Sequence, residues 1–131
     1  MAPSVPNKLT FTGALAILAL DAVSAWLSSV GRFPYVLCLP ASIAVYFWAT
    51  YRAAKYVNVW GAMTLGAFLG LVDATLGWKI SNWLGADPQG VYKNLTLNRW
   101  GTIVFGVMVY GLVISLVAFL VATLRNSRKT S

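Results

Sequence analysis

Two aspartates set in apolar sequence are the residues of this chain best placed to do chemistry. Asp21 lies within TFTGALAILALDAVSAWLSSV and Asp73 within AMTLGAFLGLVDATLGW, and each opens the same short pattern, Asp-Ala-x-x-x-Trp, at Asp21 to Trp26 and at Asp73 to Trp78. A carboxyl group in the middle of such a segment costs about 2.5–3.5 kcal/mol to place in a bilayer, so its presence calls for a reason. Three reasons compete. The acids can form a proton or cation site of a small transporter or channel. They can instead hydrogen-bond to Ser, Thr or Tyr of neighbouring helices and so hold an assembly together. They can also pair with a basic residue of another membrane protein.

Helical spacing places Asp21 on one face with Ala14, Leu18, Ser24, Ala25 and Ser28, and Asp73 on one face with Gly66, Gly70 and Gly77. Both faces are built of small residues. Tyr46 and Tyr110, central in two further apolar runs, can donate hydrogen bonds to a carboxylate. The expected ion or proton site is therefore Asp21, Asp73, Tyr46 and Tyr110. Trp26 and Trp78 follow the acids by five residues, about 140° round a helix, and so should face elsewhere rather than cage a cation beside them.

The remaining composition narrows the chemistry. Of 131 residues, 59% are hydrophobic and only 10% charged, against about a quarter charged in ordinary soluble domains. There is no His and no Glu, the acidic residues number 3, and Cys38 is the only cysteine. Histidine-based triads, imidazole metal sites, an internal disulfide and thiolate clusters are thereby excluded, and neither a cofactor, a metal nor an enzymatic activity is expected. The net charge of +7 is spread singly over the ends of apolar runs. That pattern suits anchors at lipid headgroups and not a nucleic-acid surface.

Stepping along the chain, apolar runs long enough to cross a bilayer occupy about residues 10–30, 34–54, 57–80 and 100–124, with one long polar connection over 81–98. A cleaved signal peptide is the rival reading of the first run, but its basic leader is weak and Asp21 interrupts it. Pro40 is expected to kink or loosen the second run. The fold class read from this is all-α, an integral membrane four-helix bundle in a single transmembrane domain. Lys8, Arg52, Lys55, Arg125, Arg128 and Lys129 fall on one side of it and Arg32, Lys79, Lys93 and Arg99 on the other. Six against four favours both termini in the cytoplasm, in a plasma or inner membrane.

The Asp-Ala-x-x-x-Trp pair has an offset of 52, and Ala49-Thr50-x-Arg52 recurs as Ala122-Thr123-x-Arg125 at an offset of 73. Two tandem helical hairpins related by a pseudo-two-fold axis would produce this, with the extra residues in the long connection; Ala- and Gly-rich helices also match by composition alone. Ala62, Gly66 and Gly70, spaced by four, supply a small-xxx-small face for close helix packing, joined by Gly77. The architecture resembles that of the small multidrug-resistance exporters, which also have four short spans and an acid in the first. The resemblance extends to architecture only, since those proteins carry Glu there and are shorter. The expected function is an oligomeric transporter or channel for a small cation or proton-coupled solute. The alternative is a non-catalytic accessory subunit that scaffolds, stabilises or inhibits a larger membrane complex. Expected partners are the lipid bilayer, further copies of the chain and, in the alternative, that larger membrane protein.

Overall fold

A computed structural model describes residues 4–31, 39–86 and 96–128. Cys38, half of the expected 81–98 connection (residues 87–95) and Lys129 lie outside the described residues. Within them the chain forms four helices and no strand: α1 Val5–Ser29, α2 Leu39–Ala53, α3 Val59–Trp83 and α4 Leu97–Ser127. Three of these, α1, α3 and α4, are long and apolar enough to cross a membrane, at 25, 25 and 31 residues. The described part of α2 has 15 residues, which rise about 22 Å against about 30 Å of hydrocarbon. The beginning of the second expected span lies outside the described residues.

Local signals account for the helix limits. Pro6 sits in the first turn of α1, where a missing backbone N–H costs nothing. Asn58 caps α3, its side chain accepting from the Gly61 N–H at 2.9 Å. Helices α1 and α4 both run past the apolar stretches, because polar residues such as Asn7, Asn98 and Asn126 end the hydrophobic pattern without ending the backbone hydrogen bonds. Pro40, expected to kink the second span, falls in the first described turn of α2, where no earlier described carbonyl needs its N–H.

Consecutive helices run in opposite directions. Their buried surfaces are small or polar: Gly13, Ile17, Asp21, Ser24 and Ala25 on α1, and Gly111, Ser115, Ala118 and Ala122 on α4. The bulky residues point the other way. Phe11, Phe105 and Leu124 are 65–68% exposed, and Leu15, Val23, Trp26, Val113, Val117 and Leu120 are exposed with them. A water-soluble bundle would bury such side chains and show its serines and aspartates.

The most extensive packing joins α3 to α4 through backbone. A Cβ added to Gly66 would strike the carbonyl oxygen of Gly111 and the side chain of Ser115, while one added to Gly111 would strike the carbonyl of Gly66. One turn on, a Cβ at Gly70 would lie 2.6 Å from the Val107 carbonyl oxygen and 2.9 Å from the Met108 Cα. Ser115 is fully buried and shares a 2.7 Å hydrogen bond with Thr50 of α2, so α2, α3 and α4 meet at one point. The Ile17, Tyr46, Ala49, Ala53, Leu65 and Leu69 cluster fills the space between α1, α2 and α3.

Side chains at the α3–α4 contact should therefore force the helices apart. Gly66→Leu and Gly70→Leu are expected to lower stability by about 1–3 kcal/mol or more, the scale of overpacking, in thermal unfolding of the purified protein. Gly106→Leu on α4, with nothing within 4 Å of an added Cβ, should leave the melting temperature unchanged.

Candidate functional site

The four residues expected to form an ion or proton site come together in the bundle. Asp21 is brought by α1, Tyr46 by α2, Asp73 by α3 and Tyr110 by α4. The Asp73 carboxyl lies beside that of Asp21, both reaching the same point at Gly77, and it accepts a 2.5 Å hydrogen bond from the Tyr46 hydroxyl. Asp21 and Tyr46 are buried, Asp73 partly so. The Tyr110 ring stands edge-on to Tyr46, with centroids 6.4 Å apart and planes at 74°. Its hydroxyl is buried and has no hydrogen-bond partner among the described residues.

The arrangement has a chemical implication. An ionised carboxylate is an acceptor only, so a hydrogen bond between Asp21 and Asp73 requires a proton on one of them. The same two side chains without that proton would be two like charges in contact within a medium of low dielectric, where repulsion is strong. No third acidic, His or Cys side chain among the described residues joins them in a group fit for a metal ion.

The backbone of α3 makes the contact possible. At Asp73 the helix widens into a π turn, Asp73–Gly77, in which the Trp78 N–H bonds to the Asp73 carbonyl five residues back. From within it, the Thr75 hydroxyl donates back to the Leu71 carbonyl at 2.6 Å, a side-chain bond that loosens the ordinary ladder. One extra residue in a turn sets everything beyond it back by about 100° around the axis. That offset splits the glycines. Gly66 and Gly70 face α4, as described above, whereas Gly77 faces α1: a Cβ added to it would land on the Asp21 carboxyl and 3.4 Å from Asp73 Oδ1. Ala62, the remaining expected packing residue, is fully buried on α3.

Trp26 is 58% exposed and Trp78 half-buried, each five residues past its acid. Thr50 and Ser115, which link α2 to α4, are not among the site residues expected above. A signal for the second was present, since Gly111, Ser115, Ala118 and Ala122 repeat at intervals of four, three and four, the period of one helix face.

Comparison of the chain with protein-family models, with curated proteins and with solved structures finds no match.

Gly77 is the residue on which the acid contact depends most narrowly. Gly77→Ala is expected to displace Asp21 and lower stability by about 1–3 kcal/mol. Gly101→Ala, where nothing lies within 4 Å, should be neutral or slightly stabilising in the same unfolding measurement.

Proposed function

We propose that this chain is a small multi-pass membrane protein in which Asp21, Asp73 and Tyr46 form a proton-binding site that serves transport of protons or of a proton-coupled small solute. The observation that carries the reading is the close approach of the Asp21 and Asp73 carboxyls, from α1 and α3, at Gly77. A proton there is the link between two helices; its departure replaces attraction by repulsion and favours their separation. Binding of one proton is thus coupled to a change in packing, the elementary event of coupled transport. Bare backbone at Gly77 supports the same reading, because no side chain holds α1 and α3 apart when the site is closed. The π turn supplies a segment whose hydrogen bonds are already irregular, a feature frequent at functional sites.

Membrane insertion is supported by the three long apolar helices and by the exposed Phe, Leu and Val side chains around a small and polar interior. The basic bias favours a plasma or inner membrane with cytoplasmic termini. Self-association is part of the proposal, but it must use outward faces, since Gly66 and Gly70 are occupied by the chain's own α4.

A second reading is favoured by one observation: Tyr46 of α2 donates to Asp73 of α3, beside which lies Asp21 of α1, so that the three side chains join three helices. In that case the acids are a clasp and the chain is an accessory subunit of a larger membrane complex. Flux measurements in liposomes separate the two. Asp21→Asn and Asp73→Asn should retain helicity and melting behaviour, because Asn is nearly isosteric and still hydrogen-bonds, yet abolish pH-dependent proton or cation flux. Wild-type protein without flux, or flux indifferent to both substitutions, overturns transport. The clasp reading then requires Asp21→Leu or Asp73→Leu to weaken the fold by about 1 kcal/mol.

A further inference from the structure

We infer that the groove between α2 and α4 binds one anionic phospholipid, its phosphate at Arg125 and Tyr51 and the start of an acyl chain along Phe47, Trp48 and Val121. The inference rests on the membrane reading above and is independent of what the acids do. The groove has a volume of about 380 Å³ and is lined by those five residues. It is apolar along its length and charged at one end. Phe47 and Tyr51, one helical turn apart, stack with centroids 6.0 Å apart and planes at 14°, forming a flat aromatic wall. Trp48 and Val121 are both exposed.

The polar end is already organised. An Arg125 guanidinium nitrogen donates to the Tyr51 hydroxyl at 3.0 Å, joining α4 to α2. A guanidinium carries five N–H donors, so this bond leaves several for a phosphate, and the tyrosine hydroxyl that accepts it keeps its own hydrogen to donate. Arg52 follows Tyr51 directly and Arg128 lies one turn beyond Arg125; both are exposed.

Charge complementarity identifies the occupant. The chain has 10 basic and 3 acidic residues. Of the described aspartates, Asp21 and Asp73 lie together at Gly77 inside the bundle. Among the described residues no aspartate lies beside Arg52, Arg125 and Arg128, and an anionic headgroup complements this basic end. A ligand with one phosphate and an apolar tail satisfies both ends of the groove, whereas free phosphate would leave the aromatic wall uncovered. Basic pockets between membrane helices suit such headgroups.

The test is native mass spectrometry of the purified protein in detergent, titrated with phosphatidylglycerol or phosphatidylcholine of matched chains. The wild type should retain one phosphatidylglycerol about fivefold or more tightly than phosphatidylcholine. Arg125→Gln should remove that preference, while Lys79→Gln, the same charge change near the other end of the bundle, should preserve it. Equal affinity for the two lipids, equal loss in both variants, or displacement of the lipid by an equal concentration of glycerol phosphate would overturn the site. Flotation with phosphatidylcholine vesicles checks the membrane reading separately. A chain that floats but shows no preference overturns the lipid site alone; one that does not float overturns both.

Discussion

The bundle is organised around the contact of two carboxyl groups that belong to different helices. Asp21 and Asp73 touch only because α1 approaches α3 at Gly77, and Gly77 faces α1 only because the π turn shifts it off the line of Gly66 and Gly70. With a uniform α3 all three glycines would lie on one face and compete for α4. The extra residue divides them between two partners: the first half of α3 is fastened to α4 through backbone, and the second half is turned towards α1 and its acid. Tyr46, fully buried, then ties α2 to the same point.

The rest of the packing follows from what drives association when there is little to gain from burying large apolar side chains. In a bilayer, lipid tails solvate Leu, Val and Phe as well as a protein core does, so helices associate through close backbone approach and interhelical hydrogen bonds. The interior has that composition. Gly66 meets Gly111, Thr50 meets Ser115, Gly13 lies against Ala49 and Leu69, and the large residues are displaced outward. Each interhelical polar bond contributes modestly, about 0.6–2 kcal/mol. On the proposed reading, the acid contact differs from the others in depending on a proton, and so could be made and broken by conditions that leave the glycine contacts intact.

Composition and apolar run length were enough to read an all-helical chain with long apolar helices, and the four-residue spacing of Ala62, Gly66 and Gly70 marked a face that the structure buries. Isolated acids and central tyrosines in apolar sequence marked Asp21, Asp73, Tyr46 and Tyr110, which the structure gathers at one place. Their detailed geometry was not legible. Which helix supplies the partner of Asp73 depends on rotation and register, and rotation was hidden by the π turn, since nothing in Asp73-Ala-Thr-Leu-Gly77 announces an i→i+5 bond. Regular spacing alone groups Gly77 with Gly66, Gly70 and Asp73, whereas an added Cβ there would meet Asp21 as well as Asp73. The repeat of Asp-Ala-x-x-x-Trp does bring α1 and α3 together at their acids, but the two sites are unlike in detail: only Asp73 opens a π turn, and Tyr46 and Tyr110 stand at unrelated positions under the two offsets.

The shared proton is the central claim, and infrared spectroscopy of the protein in lipid vesicles measures it directly. Wild-type protein should show the carbonyl band of a hydrogen-bonded carboxylic acid that shifts on deuteration, and the Asp21→Asn, Asp73→Asn double variant should lack it. Spectra in which every aspartate of the wild type gives only carboxylate bands would contradict a proton held between Asp21 and Asp73.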